Sequence, residues 1–208
     1  MTNKYKTLLK SGKAEIVIDK SLFIGYSSPV SSEEEAIKFI EEIKNNHKDA
    51  THNVSAYTVG LNNEIQRYSD DGEPMGTAGI PVLELIKKED LRNVVIVVTR
   101  YFGGIKLGGG GLIRAYTKGA KIAVDAGKII TKERHRILVT EIDYSLLGKV
   151  QNEILQKGYI IKEIKYGQLV HLYIYVPMKK LETIRKELIE LTSGNCKIGE
   201  IGEEFLTV

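Results

Sequence analysis

The sequence predicts an α+β protein of two domains, the second a ferredoxin-like β-α-β-β-α-β sandwich. Three observations carry this. An unbroken apolar, β-branched run, Asn93 to Thr99, reads as a buried strand. Around it, short alternating stretches are interleaved with helical ones, in the order β-β-α-β-β-α-β-α down to residue 126, the run itself being the last of these strands. After Gly127 the pattern resets to strand, helix, strand, strand, helix, strand. The boundary falls in the charged connector Lys128 to Arg136, giving domains over 1–130 and 136–208. A chain of 208 residues, 42% of them hydrophobic, has enough apolar material for two ordinary cores.

Taken in order, residues 1–12 are polar and are expected to fray. Lys13 to Asp19 alternates and reads as a strand, and Ser21 to Val30 as a second. Ser31-Ser32-Glu33-Glu34-Glu35 is a helix start, with a serine cap and acids in the first turn. Ala36, Phe39, Ile40 and Ile43 continue it at helical spacing. His52 to Gly60 and Glu64 to Tyr68 read as strands around a turn at Leu61-Asn62-Asn63. Asp70-Asp71-Gly72-Glu73-Pro74 is a loop, and Gly76 to Lys88 a helix that tolerates Pro81 if it lies in the first turn. After strand 93–99 a glycine loop leads into a helix over 111–126. In the second domain, strands 136–144, 159–166, 168–176 and 196–207 alternate with helices 145–157 and 178–191.

Charge is distributed more tellingly than its total of +3 suggests. From Arg100 to Arg136 there are nine Lys/Arg against two acids, whereas Glu64 to Asp90 holds seven acids and three bases. The single Cys196 excludes an internal disulfide and a cysteine-based zinc site. No apolar run approaches the ~20 residues of a membrane span. The N-terminal MTNKYKTLLKSGK has no signal-peptide core, so the expected location is cytoplasmic.

The working surface is expected at Arg67 to Tyr116, above all at RYFGGIKLGGGGLIRAY. Six glycines, Gly103, Gly104 and Gly108 to Gly111, fall within nine residues, between a strand and a helix. Glycines let backbone N–H groups approach a ligand, and a helix N-terminus adds unpaired donors with partial positive charge. Arg100, Lys106, Arg114 and Lys118 are expected to contact phosphates, and Tyr101 or Tyr116 to stack on bases. Tyr57 and Tyr68 share that possibility, though tyrosines are also ordinary sheet residues. No Gly-Lys-Ser/Thr follows the glycines, so this is not a Walker loop; nor is the third glycine of a dinucleotide fingerprint in place. Asp70, Asp71 and Glu73 can hold a hard cation or act as acid and base. Against that, Asp-Asp-Gly is ordinary turn chemistry, and Asp70 and Asp71 can cap a turn or the next helix or pair with Arg67 or Arg100. They are taken as ordering the loop that faces the basic surface. His47 and His52 are five apart and lack further ligands, so no metal site is assigned. No cofactor and no nucleophile motif is assigned either.

SDDGEPMGTAGIPVLELI (69–86) and VTRYFGGIKLGGGGLIRAY (98–116), with KSLFIGY (20–26) and DATHNVSAY (49–57), resemble the IMPACT family, in its bacterial YigZ/YvyE-like branch. One departure is Val54-Ser55, where the family pattern has a small or cysteine-containing pair. The resemblance implies a first domain with the fold of the second domain of ribosomal protein S-five. It implies a second domain similar to domain V of elongation factor G. It also implies an RNA- or ribosome-binding, non-enzymatic protein that modulates translation, with a protein partner in translation as a further possibility. Eukaryotic relatives bind an activator of the starvation kinase partly through an extra N-terminal domain that this sequence does not show, so that partner is not expected here. Two alternatives stand beside this reading. One is an enzyme acting on a phosphate-bearing small molecule, kinase-like or a metal-assisted hydrolase using Asp70, Asp71 and Glu73. The other is a protein-docking regulatory module.

Overall fold

In the computed structural model, which describes residues 2–208, the chain divides into two units, chiefly Lys4–Thr131 and Lys132–Val208. The fold is α+β, with two five-stranded sheets and five α-helices among the described residues. The first unit runs β1 (Lys4–Leu8), β2 (Gly12–Ile18), β3 (Ser21–Pro29), α1 (Glu33–Asn46), β4 (His52–Val59) and β5 (Ile65–Ser69). It continues with α2 (Gly79–Lys88), β6 (Val94–Tyr101) and α3 (Gly108–Gly127).

Its sheet has the order β2-β3-β6-β4-β5, every neighbouring pair antiparallel. The apolar run becomes β6 at the centre, and Val94 through Val98 are all fully buried because both faces are covered. Val94, Ile96 and Val98 join Phe23, Val54 and Ala56 under α2 and α3. Val95 and Val97 face the other way, toward Ala36, Phe39, Ile40 and Ile43 of α1. Burying each such side chain is worth about 1.5–3 kcal/mol, so one strand anchors both helical layers.

Local chemistry sets the ends of these elements. Ser32 caps α1 by accepting from the Glu35 N–H, while the Glu35 carboxylate accepts from the Ser31 N–H at 2.7 Å. Asp19 and Lys20 both take positive φ, the twist that a two-residue β2–β3 hairpin demands. Pro81 is the third residue of α2, where its missing N–H deprives no intrahelical bond. α3 lies directly on the sheet backbone: a Cβ on Gly25 would stand 2.1 Å from the Gly119 carbonyl oxygen. That close seat brings the first turn of α3 beside the end of β6.

Three expectations change. Residues 4–8 form β1 rather than fraying, because Tyr5, Thr7 and Leu8 are buried and the Arg92 N–H donates to the Lys6 carbonyl. The stretch read as a connector is already strand: β7 spans Ile129–Ile142. And α3 starts at Gly108, so the four consecutive glycines are its first turn, not a loop before it.

The second unit continues β7 through α4 (Tyr144–Gln156), β8 (Ile160–Tyr166), β9 (Val170–Pro177), α5 (Leu181–Leu191) and β10 (Cys196–Thr207). Within it the strands lie in the order β10-β7-β9-β8, all antiparallel, the split β-α-β arrangement. Val170, Leu172, Ile174 and Val176, alternate residues of β9, pack on Val150 and Ile154 of α4 and on Ile184 and Leu188 of α5. Among the described residues no helix is long and apolar enough to cross a membrane.

Candidate functional site

Where β6 ends, Arg100 points to the α3 side of the sheet and Tyr101 to the α1 side, as strand alternation requires. Arg100 is buried. Its Nη1 donates to Glu73 Oε1 at 2.7 Å, and the two side chains are only 6% and 4% exposed. The Tyr116 hydroxyl donates to the same oxygen at 2.7 Å from a ring with no exposed surface. The Arg100 guanidinium lies between the rings of Phe23 and Phe102, at 5.5 and 5.4 Å. Arg100 Nε is buried without a partner, and Glu73 Oε2 accepts no hydrogen bond among the described residues.

His52 stands opposite Arg100 across the β4–β6 ladder. Its Nδ1 is 2.8 Å from the Asp71 carbonyl, which only accepts, so Nδ1 carries the proton. Its Nε2 then faces Glu73 Oε1 at 3.8 Å.

The three acids of the loop go to three separate tasks. Asp70 accepts from the N–H groups of Gly76, Ala78 and Gly79 at 2.7–3.1 Å, closing the uncapped start of α2. Asp71 accepts from the Asn53 N–H and from Lys44, each at 2.6 Å, which ties the loop to β4 and α1. Glu73 takes the buried arginine. With their oxygens spent on different partners, the three do not converge on one point.

Burial pushes the Tyr116 hydroxyl pKa far above its ordinary value, and the hydrogen bond to Glu73 and its charge push it the same way. The folded chain therefore holds that proton more tightly than the unfolded chain does. The associated stability is intact below the unfolded value of about 10 and is lost as pH rises beyond it. Urea unfolding should show stability falling between about pH 10 and 11, with a shallower fall in Tyr116→Phe; equal slopes would contradict the coupling.

Beside this cluster lies a cleft of about 330 Å3, with Thr51, His52, Glu73, Phe102, Lys106 and Gly109 among its walls. α3 opens onto it without any side-chain cap. The glycines there differ in what the fold asks of them. A Cβ on Gly103 would strike the Lys20 carbonyl oxygen at 1.9 Å, and Gly108 has φ +68°. Gly109 and Gly110 have neither constraint: a Cβ would meet only the Thr77 methyl at 3.8 Å in the first case and nothing within 4 Å in the second. Glycine costs roughly 1 kcal/mol against alanine inside a helix, and no internal contact accounts for it at these two positions.

The expected surface is thus divided. Lys106, Gly108 and Gly109 line the cleft. Arg114 and Lys118 rim a separate groove of about 690 Å3 between α2 and α3, with Ile80, Leu85 and Ile113 among its walls. Gly110, Arg114 and Lys118 follow one another at four-residue intervals on one exposed face of α3, about 6 Å of rise apart. Among the described residues Lys106, Arg114 and Lys118 have no ion pair, whereas Lys121 is held by Glu89 and Asp125. Two expected contacts are corrected. Arg100 is spent on Glu73, and Tyr116 is buried with no ring face to offer a base. Tyr101 is also drawn off, its hydroxyl bonded to His47 and Asp49 on the α1 side. His52 and Phe102 were not singled out as cleft residues from the sequence. Only the pairing of His52 with Arg100 would have revealed them, and a single sequence does not show strand pairing.

Comparison with known proteins gives consistent matches. Residues 19–124 match the Impact N-terminal domain, and residues 140–195 match a domain of unknown function, DUF1949. The chain is 46% identical over 200 residues to "IMPACT family member YvyE" of Bacillus subtilis, covering 96% of this chain and 92% of that one. It is 31% identical to "IMPACT family member YigZ" of Escherichia coli, over 89% and 92%. With "Protein IMPACT-B" of Xenopus tropicalis it shares 36% identity over 49% of this chain and 32% of that one. A solved structure described as a hypothetical protein is similar with a TM-score of 0.62 at 27% identity, covering 97% and 99% of the two chains.

Proposed function

We propose a function from the premise that this chain belongs to the IMPACT family. It binds RNA, ribosomal or transfer RNA in the first place, and modulates translation without catalysing a reaction. The observation that carries this is the contrast between spent and unspent cations. Arg100 and Lys121 are neutralised by carboxylates of the same chain, while Lys106 just before α3 and Arg114 and Lys118 on its exposed face have no ion pair among the described residues. Next to Lys106 lie helix amides that carry no side-chain cap. Unpaired cations beside a helix N-terminus form a surface that receives phosphate. The strand and helix orders of the two units support the further reading that the first has the fold of the second domain of ribosomal protein S-five. They support likewise a second unit related to domain V of elongation factor G.

Crosslinking in cells, with sequencing of the bound RNA and mapping of the crosslinked peptides, tests the proposal. Crosslinks are expected within residues 102–118. Recovery of no RNA above background, or crosslinks confined to other segments, would contradict it. The apolar groove between α2 and α3, with Ile80 and Ile113 exposed, favours protein docking as a second reading. A partner that remains bound after nuclease treatment and is lost in Ile113→Asp would select it.

A further inference from the structure

The cleft beside α3 has more in it than a passing phosphodiester uses. Its volume of about 330 Å3 falls in the range of small-ligand pockets and holds about one nucleotide. An RNA end or a free mononucleotide fits that volume. On one wall are the uncapped start of α3, with Gly109 and its free approach, and Lys106, which has no ion pair among the described residues. On another is Glu73, a side chain more than nine-tenths buried whose Oε2 has no donor among the described residues. At the mouth is Phe102, about half exposed, with the Arg100 guanidinium on its ring.

These features ask for different things from one ligand. Helix amides and an ammonium want an anion. A carboxylate oxygen only accepts, so the Glu73 oxygen repels a phosphate oxygen and takes a hydroxyl or amino donor from the ligand instead. The exposed aromatic ring offers a stacking face for a flat heterocycle. Arg100 offsets the charge of Glu73, so Lys106 and the helix leave the cleft net positive.

We propose that this cleft binds a terminal nucleotide. Its phosphomonoester lies on the Gly108 and Gly109 amides and Lys106. Its base lies against Phe102, and a sugar hydroxyl or base amino group donates to Glu73 Oε2. The phosphorylated end of an RNA and a free mononucleotide share this chemistry; only the first rests on the RNA reading above.

The test uses the whole chain and four probes: an RNA decamer phosphorylated at its 5′ end, at its 3′ end or at neither, and adenosine 5′-monophosphate. A phosphorylated end should strengthen binding by about tenfold or more over the unphosphorylated decamer, and the mononucleotide should bind and compete for that gain. Gly109→Asp places a carboxylate in the phosphate position. Its Cβ has room, and an acid in the first turn of a helix favours the fold, so the variant should melt no lower than the parent. It should lose both the end preference and the mononucleotide. Lys106→Glu is the second variant, with the same expected losses. Arg114→Glu with Lys118→Glu should weaken all three decamers alike and leave the mononucleotide unchanged. Equal binding of the three decamers together with no mononucleotide binding would overturn the proposal, as would a folded Gly109→Asp that keeps the preference. Mononucleotide binding with no decamer binding would support the cleft and overturn the RNA reading instead.

Discussion

Replacing Arg100 by alanine is expected to destabilise the first unit by about 3–5 kcal/mol, because it leaves a carboxylate buried without its cation. Glu73 is 4% exposed and its Oε1 is already committed to Arg100 and Tyr116. Without the guanidinium, the loop must either open to hydrate the carboxylate or protonate it. Either outcome loosens the turn at Asp70 to Glu73 and with it the wall of the cleft. Glu73→Ala strands Arg100 between Phe23 and Phe102 and should cost a comparable amount. The two losses should not add, since the partners share one interaction. Arg100→Met, Glu73→Leu and Tyr116→Phe combined should recover much of the loss, because a well-packed apolar set often matches a buried ion pair. Urea unfolding of the single and combined variants measures this. Singles within about 0.5 kcal/mol of the parent, the range of ordinary surface changes, would show that the pair holds nothing in place.

The opposite behaviour is expected of the exposed cations. Lys106→Glu, Arg114→Glu and Lys118→Glu together should lower RNA affinity by about a hundredfold or more at moderate salt, since each reversal replaces attraction for phosphate by repulsion. Stability should stay within about 0.5 kcal/mol of the parent, because none of the three has an ion pair to lose among the described residues. Lys106→Glu also puts an acid just before the α3 N-terminus, where the helix field favours it. Fluorescence anisotropy with labelled RNA reads the first quantity and thermal melting the second. Unchanged affinity in a folded triple variant would remove this surface from RNA binding. Arg100 and Lys106 lie six residues apart in the sequence, yet one should govern folding and the other binding.

That division marks how far a sequence can be read. β6 was legible because five consecutive β-branched residues admit few other uses, and α1 because Ser32 and its three following acids are strong local signals. The glycine run was legible as a helix start beside a strand, though not that the glycines form the first turn of α3 itself. β1 was not legible, since Lys-Tyr-Lys-Thr-Leu becomes a strand only through burial supplied by distant residues. The fate of Arg100 was hidden for the same reason. It depends on a loop 27 residues earlier folding back to meet it, and on the register that sets His52 opposite. Pairing with Arg100 was among the uses open to Asp70 and Asp71, but the carboxylate that takes it is Glu73, a tertiary fact. Tyr101 and Tyr116 show the limit most simply. Both lie near cations in sequence, but strand alternation turns one to the α1 side and the helical period turns the other into the core.

The salt dependence of RNA binding by the intact chain and by its charge variants tests the central claim most directly. If Lys106, Arg114 and Lys118 meet phosphates, the logarithm of the affinity should fall linearly with the logarithm of salt concentration. The slope should shrink by about one for each of the three removed. A slope that is the same in parent and triple variant, or binding indifferent to salt, would mean that those cations face no phosphate.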